Sequence, residues 1–304
     1  MPDATRRDVL VTEALLVVMS VMWGMNFVVM KYGTDMIDPF AYNGVRVTIG
    51  AIVMLAILWF RRAPVLAWRD KKSLMLLGLL GTGLYQLFFI SGLARTRAGT
   101  ASLVIAASPA MIAIVGRVMG FEKVSRRAVL GIVIAFAGIA FVILGSADSS
   151  EGSPSMIGDL LVLCAVVCWA FYAHLVRPFA QRIDGIQVAT WVLVGGACPI
   201  VLAGIPSILH TDWHTVGGLT WAAILYSGII SMGIAYLFWY RGARVIGPTR
   251  TAAFANLQPL IALAASWPML GERPTTIQGV AAGAVLGGLL LTRQPSAPDP
   301  AHGE

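Results

Sequence analysis

Residues 92–122 read GLARTRAGTASLVIAASPAMIAIVGRVMGFE, and the chain repeats the pattern at residues 242–272, which read GARVIGPTRTAAFANLQPLIALAASWPMLGE. Three landmarks are each 150 residues apart: Gly92 and Gly242, Pro109 and Pro259, and Glu122 and Glu272. The correspondence continues outward at spacings of 146 and 148 residues: Trp23 and Trp169, Lys31 and Arg177, and Gly131 and Gly279. A repeat held over so much of the chain indicates that the protein consists of two related halves.

The composition is that of a multi-span membrane protein. Of the 304 residues, 58% are hydrophobic and only 12% are charged, and the mean hydropathy is +0.79. Soluble domains carry roughly 45–50% apolar and about 25% charged residues. Too little polar surface therefore remains to cover a water-soluble globule. In such a chain the net charge of +7 reflects how the loops are oriented, and we expect no nucleic-acid partner.

Ten apolar runs follow one another along the chain, and each is expected to be a helix because a bilayer offers the backbone no water to hydrogen-bond. About 20 apolar residues are needed to cross the hydrocarbon core. The runs cover residues 14–31, 39–60, 73–93, 98–118, 127–145, 156–176, 186–208, 218–240, 249–270 and 276–292. The sequence therefore predicts an all-α integral membrane protein with ten transmembrane helices.

The ten helices divide into two five-helix repeats, residues 12–145 and residues 156–292, with tails at residues 1–11 and 293–304. Because five is an odd number, the second repeat begins on the opposite side of the membrane from the first. The two repeats are therefore expected to be inverted relative to each other. Inverted repeats are a recurring architecture of secondary transporters.

The Lys and Arg residues indicate the orientation, because cytoplasmic loops carry an excess of them. When the connections are assigned alternately to the two sides, the N-terminal side receives all but five of the 22 residues. The exceptions are Lys31, Arg95, Arg97 and Arg273 on the other side and Arg46 inside a span. This bias predicts a multi-pass protein of the cell (inner) membrane with both termini, and so both tails, in the cytoplasm.

A set of ordered motifs runs through both halves. The first half has WGMNF at 23–27, Lys31, Arg46, GLA at 92–94, TAS at 100–102, Pro109, Glu122 and Gly131, and the second has Pro259 and LGERP at 270–274. In this order and duplication the chain resembles the drug/metabolite transporter superfamily, and within it the ten-span EamA-type transporters. The resemblance covers about residues 12–292 and departs at Phe121, where the family usually has Gly before Glu.

The resemblance implies a secondary membrane transporter, and not an enzyme, that works by alternating access at a central cavity between the two repeats. The cavity is expected to be lined mainly by the first, third, fourth, sixth, eighth and ninth helices, with the fifth and tenth at the back. The implied function is export of amino acids or related small metabolites. The expected partners are a small-molecule substrate and the lipid bilayer, with the chain as a monomer or homodimer.

Polar and aromatic side chains inside the apolar runs are the candidates for substrate binding, because polar groups in hydrocarbon are costly and face a cavity or a neighbouring helix. The candidates are Trp23, Asn26, Tyr85, Gln86, Trp169, Tyr172, Tyr236, Trp239, Asn256 and Gln258. Their amide and aromatic groups suit a small amphipathic solute. The alternative is that they only hydrogen-bond between helices, at about 1 kcal/mol each or less.

Three further residues within the runs suggest local roles. Pro109 and Pro259 each remove a backbone hydrogen bond, which predicts a hinge at equivalent points of the two halves, with a static kink as the alternative. Arg46 is a strong charge inside a span. We interpret it as structural, snorkelling or pairing with a helix end near the outer interface, with a substrate carboxylate as the alternative partner.

The glutamates of the repeated pattern lie in equivalent connections between helices. We interpret Glu122 and Glu272 as structural residues that tie each connection to a nearby helix N-terminus or arginine. Shortly after the second glutamate, Thr275 and Gln278 have the spacing of a capping box. This pair predicts the start of the last helix.

Several classes of function lack their sequence signals. Cys164, Cys168 and Cys198 lie in apolar runs without a matching set of histidines, so we interpret them as packing residues and expect no metal and no cofactor. No Gly-x4-Gly-Lys-Ser/Thr loop is present to bind ATP. The acidic residues nearest to a span interior are Glu13 and Asp159, each close to a span's end.

Three other functions are alternatives to metabolite export. Efflux of cationic drugs would need a counter-charge in mid-membrane, and no carboxylate in the sequence clearly supplies it. An integral-membrane enzyme that modifies lipids would need Asp, His or Glu clustered at the membrane face, whereas the inner loops hold mostly Arg and Lys. A permanent pore would show rings of charge or a filter segment, and neither is evident.

Overall fold

The computed structural model of the chain describes residues 6–120, 126–147, 154–246, 251 and 254–292, and all regular structure in these ranges is helical. The α-helices are α1 (Arg6–Met36), α2 (Pro39–Phe60), α3 (Trp68–Gly78), α4 (Tyr85–Leu93), α5 (Ala98–Ala106), α6 (Ser108–Val118), α7 (Arg126–Ala147), α8 (Pro154–Ala180), α9 (Gly185–His210), α10 (Gly218–Leu225), α11 (Ala235–Val245), α12 (Gln258–Leu270) and α13 (Thr276–Thr292). Two π-helical segments, Leu79–Leu84 and Tyr226–Ile234, join α3 to α4 and α10 to α11.

The helices confirm an integral membrane protein of the all-α class. Within the described ranges, seven helices are long and apolar enough to cross a membrane, and two shorter apolar helices are Val129–Phe141 and Thr276–Gly288. The seven are Arg6–Met36, Pro39–Phe60, Trp68–Leu93, Ala98–Val118, Met156–Ala180, Gly185–His210 and Gly218–Gly242. The count of ten spans and the inversion of the repeats stay predictions.

The observed helices extend beyond several of the apolar runs. α1 covers residues 6–36 where the run covers 14–31, and the third run begins at 73 although α3 begins at Trp68. Helical backbone hydrogen bonding continues past the apolar residues, and an acidic residue in a first turn, such as Asp70 in α3, interacts favourably with the helix dipole. Hydropathy therefore identifies the apolar segment of each helix but not the residues at which the helix begins and ends.

Local capping residues fix two of the helix starts. The Asp38 carboxylate accepts from the backbone N–H groups of Phe40 and Ala41 at 2.8 and 3.2 Å, directly before α2. At α13 the Thr275 N–H donates to Gln278 Oε1 at 3.0 Å, and the Gln278 N–H donates to Thr275 Oγ1 at 3.2 Å. The predicted capping box is therefore confirmed.

Helices from the two ends of the chain pack against each other. α2 packs along α9, and α7 packs along α13. α1 packs against α11 and α12, while α8 packs against α4 and α6. Because partners come from opposite halves of the sequence in each case, neither half forms a separate core.

The two π-helical segments lie at matching points of the sequence repeat. A shift of 150 residues places Leu79–Leu84 at residues 229–234, inside Tyr226–Ile234. π-Helical turns in longer helices frequently occur at functional sites. The first segment ends directly before Tyr85, and the second ends two residues before Tyr236, so candidate substrate-binding residues follow both.

Candidate substrate site

A buried arginine lies among the polar side chains that the helices bring together. Arg46 in α2 is only 1% exposed. Its Nε donates to Asn43 Oδ1 at 3.0 Å, and its Nη2 donates to Gln86 Oε1 in α4 at 2.7 Å. The side chain therefore does not snorkel into solvent, because α2 packs against α4 and the guanidinium hydrogen-bonds to that helix. Its structural role stays a prediction.

The neighbours of this guanidinium are neutral. Tyr42 lies one helical turn before Arg46, Tyr85 directly precedes its partner Gln86, and Tyr236 lies nearby. No carboxylate in the described ranges hydrogen-bonds or pairs with the guanidinium. Ion pairs in these ranges lie elsewhere and include Lys31 with Asp35, Arg182 with Asp70 and Arg241 with Asp8. Arg46 therefore brings a positive charge into the interior with only neutral partners around it.

A second polar network links both halves of the chain beside the arginine. The Tyr42 hydroxyl lies 3.0 Å from the Ala223 carbonyl oxygen and 2.8 Å from Ser227 Oγ. Ser227 Oγ donates to Asn26 Oδ1 at 2.9 Å. The network joins α1, α2 and the second π-helical segment, and it places Asn26 next to residues of the second half.

One aromatic group forms around Trp23 in α1. Its ring centroid lies 5.3 Å from that of Tyr236 and 5.7 Å from that of Trp239. Its Nε1 donates to the Ser231 carbonyl oxygen of the second π-helical segment at 3.0 Å. A π-helical turn changes the positions of its backbone carbonyls relative to an α-helix, and this one accepts a hydrogen bond from an indole.

A second aromatic group forms around Tyr85 in α4. Its ring stacks on Phe89 at 5.8 Å with an interplanar angle of 7°, and its centroid lies 5.7 Å from that of Trp169. Trp169 in turn lies 5.2 Å from Tyr172 in α8. Each aromatic group contains one tyrosine near Arg46: Tyr85 in this group and Tyr236 in the other.

The structure thus connects eight of the ten candidate substrate-binding residues to the surroundings of Arg46. These are Trp23, Asn26, Tyr85, Gln86, Trp169, Tyr172, Tyr236 and Trp239. Asn256 lies in the turn before α12, and Gln258 is the first residue of that helix. No hydrogen bond or ring contact in the described ranges joins these two side chains to the others. All ten remain candidates for substrate contact.

The two candidate hinge prolines lie at helix breaks. Pro109 is the second residue of α6, which follows a turn at Ala107, and Pro259 is the second residue of α12. A first helical turn does not need the missing N–H, and proline is favoured there. The fourth and ninth apolar runs are therefore each interrupted before a proline, and hinge motion at these points stays a prediction.

Glu272 reaches a helix from the other half. Its carboxylate oxygens lie 3.0 and 3.3 Å from the backbone N–H of Ala98, the first residue of α5. Burial raises the pKa of this carboxyl above its ordinary value, and the N–H of Ala98 and the nearby Lys31 partly offset the rise. This geometry agrees with a structural role at a helix N-terminus, while its counterpart Glu122 lies outside the described residues.

Three residues around the arginine were not among the sequence candidates. Asn43 and Tyr42 lie three and four residues before Arg46, so helical spacing on one face would have found them. Ser227 gives no comparable signal, because a serine in an apolar helix is common and its partners Tyr42 and Asn26 are distant in sequence.

These features define a class of protein: a multi-pass helical membrane protein that holds a charged and aromatic group between its helices. A family model described as the EamA-like transporter family matches residues 10–144 and residues 156–294. The chain therefore belongs to the EamA-like transporter family.

Similar proteins carry transporter names. The uncharacterized transporter YyaM of Bacillus subtilis is 27% identical over 256 residues, covering 83% of this chain and 84% of that protein. A probable terminal-alkyne amino-acid exporter of Streptantibioticus cattleyicolor is 27% identical over 281 residues, covering 91% of each. One solved crystal structure covers 93% of this chain and 97% of its own with a TM-score of 0.62 at 20% identity, a likeness of fold alone.

Proposed function

We propose that this chain is a secondary transporter that exports amino acids or related small metabolites by alternating access. The observation that carries the proposal is the site around Arg46, which both halves build. Asn43, Tyr85 and Gln86 come from the first half, and Tyr236 comes from the second. A site shared by two halves changes shape when one moves against the other, which is what alternating access requires.

The helix packing supports the ten-helix, inverted-repeat architecture. In the sequence repeat, α1 corresponds to α8, and α11 and α12 correspond to α4 and α6. The packing of α1 against α11 and α12 is matched by that of α8 against α4 and α6. A two-fold relation between residues 12–145 and residues 156–292 produces such matched pairs, and the double family match supports the same division.

A pocket of about 310 Å³ supports an outer route to the site. It lies where the α1–α2 connection meets the α9–α10 connection, and Asp38, Asp212 and Thr220 line it. The distribution of Lys and Arg favours these connections being outside, with both termini cytoplasmic. Thr220 lies one helical turn before Ala223, whose carbonyl oxygen accepts a hydrogen bond from Tyr42, so α10 carries both a wall of the pocket and a part of the polar network.

Export of amino acids is favoured over efflux of cationic drugs. A buried guanidinium repels a cationic solute, and no carboxylate in the described ranges pairs with it. The similarity to a probable amino-acid exporter points the same way. The proposal assigns no catalytic residue and no cofactor, and it is compatible with a monomer or a homodimer.

Counterflow in proteoliposomes tests this function. The purified chain is reconstituted and assayed with labelled amino acids, a nucleoside, a sugar and a quaternary-ammonium dye, with protein-free liposomes as the control. We expect saturable amino-acid uptake that unlabelled amino acid inside the vesicles stimulates. Uptake of the dye alone, or no uptake of amino acids by folded protein, would contradict the proposal.

A further inference from the structure

We infer that Arg46, together with Asn43, Tyr85 and Tyr236, binds a carboxylate group of the substrate. The substrate class is then amino acids in their carboxylate form and other small monocarboxylates. This inference rests on the proposed transport function and assigns one chemical group of the solute to one place in the fold.

The first argument is charge. A guanidinium stays protonated and offers five N–H donors in a planar fork. Hydrogen bonds to Asn43 and Gln86 use two of these donors. Neutral partners do not cancel the charge, and an uncompensated charge in a low-dielectric interior is costly. A carboxylate would cancel the charge and could accept two parallel hydrogen bonds from the remaining donors.

The second argument is the set of groups around the charge. Asn43 is completely buried, and its Oδ1 faces the guanidinium because a guanidinium can only donate. Its Nδ2 is left without a hydrogen-bond partner in the described ranges. No described residue accepts a hydrogen bond from the hydroxyl of Tyr85 or Tyr236. Free donors beside a buried cation are suited to an anion with several acceptor oxygens.

The third argument is that the fold does not require an arginine at this point. α2 and α9 both begin directly after an aspartate, Asp38 and Asp184, and Arg46 and Val192 each lie eight residues later. Their backbones also have equivalent neighbours. A Cβ at Gly228 would lie 2.8 Å from the Arg46 carbonyl oxygen, and a Cβ at Gly78 would overlap the Val192 carbonyl oxygen.

The same backbone position is therefore occupied by arginine in one half and by valine in the other. Val192 is 4% exposed and packs with buried hydrophobic residues such as Leu74. If packing alone decided the residue, an apolar side chain would serve in both halves. The charge at Arg46 is better explained by something that the site binds.

The test uses full-length protein in liposomes, with leucine as the labelled probe within a panel of labelled amino acids. Unlabelled leucine, leucinamide and 3-methylbutylamine are each added as competitors, and the inhibition of labelled leucine uptake is measured. The amide replaces the carboxylate by a neutral group, and the amine lacks it. In the wild type we expect leucine to compete at least about tenfold better than leucinamide, the factor that 1.4 kcal/mol of charge-assisted bonding gives.

Arg46→Gln is expected to abolish the preference for leucine over leucinamide, and Arg46→Lys is expected to retain part of it. The matched control is Arg95→Gln, which should keep the preference of the wild type. Arg95 is an exposed arginine whose Nη1 donates to the Ser91 carbonyl oxygen, so its loss removes one charge away from the site. The preference is a ratio for each variant, so a variant with less folded protein still reports it. A merely structural role would lower uptake and leave the ratio unchanged.

The outcomes separate the two proposals. Amino-acid uptake with equal competition by the amide, or with an unchanged ratio in Arg46→Gln, overturns the carboxylate site and leaves the transporter standing. Uptake of the amine or of a quaternary-ammonium dye without amino-acid uptake overturns both. No uptake by wild-type protein that elutes as a folded species also overturns both.

Discussion

The helices α2 and α9 occupy equivalent positions in the two halves of the sequence repeat, and they differ in one buried residue, Arg46 in α2 and Val192 in α9. They pack along each other, and each starts directly after an aspartate. Each also approaches one glycine through a backbone carbonyl: Gly228 lies inside the second π-helical segment, and Gly78 directly precedes the first. At that carbonyl α2 has Arg46 and α9 has Val192. The comparison teaches that the backbone frame is duplicated while the charged group is present once. Under the proposed function, two halves with matching backbones would share one substrate site whose charge comes from one half only.

The largest expected effect comes from placing the charge in the second half. Val192→Arg would bury a guanidinium without Asn43 and Gln86 beside it, and an unpaired buried ion costs several kcal/mol. We expect little folded protein, measured as the monodisperse fraction after detergent extraction, whereas Val192→Ile should extract like the wild type. Normal extraction of Val192→Arg would mean that this position tolerates charge in either half and would weaken the comparison.

The next effect tests whether the two backbone contacts are equivalent. Gly78→Ala and Gly228→Ala would each push a methyl group against a carbonyl oxygen of the neighbouring helix. Overpacking of this kind costs roughly 1–3 kcal/mol. Both variants should lower the melting temperature in detergent.

The matched control for the glycine pair is Gly279→Ala, because a Cβ placed there meets no atom of another described helix within 4 Å. Its melting temperature should not fall below that of the wild type, since alanine favours a helix interior over glycine. If only one of Gly78→Ala and Gly228→Ala lowers the melting temperature, the frames of the two halves are not equivalent.

A smaller effect sharpens the comparison at the site. Tyr85→Phe and Tyr236→Phe each remove one hydroxyl from the proposed carboxylate site and keep the ring contacts. Losing one hydrogen bond to a bound carboxylate costs about 1.5 kcal/mol, or roughly tenfold in affinity. We expect a higher substrate concentration at half-maximal uptake, measured by counterflow, with unchanged protein yield. Tyr32→Phe in α1 serves as the control. Unchanged half-saturation in both variants would remove these hydroxyls from the site.

The smallest expected effect concerns Glu272, which caps α5 from the other half. Glu272→Ala removes the acceptor for the Ala98 N–H, and loss of such a cap costs about 1 kcal/mol. The melting temperature should fall slightly, and Glu272→Gln, which keeps an acceptor, should lie above alanine. A melting temperature of Glu272→Ala equal to that of the wild type would show that the contact does not stabilise α5.

The same residue gives a pH dependence. Burial raises the pKa of Glu272 above its ordinary value of 4.5, so the folded protein holds this proton to a higher pH than the unfolded chain does. Its contribution to stability is present below 4.5 and is lost as the pH rises through the raised pKa. As the pH rises from 4.5 through the raised pKa, the melting temperature of the wild type should therefore fall relative to that of Glu272→Gln. A difference of the opposite sign would contradict the raised pKa.

Much of this protein could be predicted from its sequence. Low charge and high hydropathy determined a membrane protein, the recurring motifs determined the EamA-like family, and the Thr275–Gln278 pair determined the start of α13. These features are local or compositional, so they need no knowledge of the fold. One physical rule, the cost of polar groups in hydrocarbon, selected candidate residues most of which contact one another around Arg46. Their contact with substrate stays a prediction.

Only the tertiary structure decided what surrounds Arg46. Its position in a span suggested a side chain that snorkels to the interface. Instead the side chain is buried and hydrogen-bonds to Gln86, 40 residues away in the sequence. Tyr236 joins it from the second half, and Glu272 caps a helix that begins 174 residues earlier. Sequence periodicity reports which face of a helix is apolar. It does not report which helix lies opposite, because that depends on how all the helices pack together.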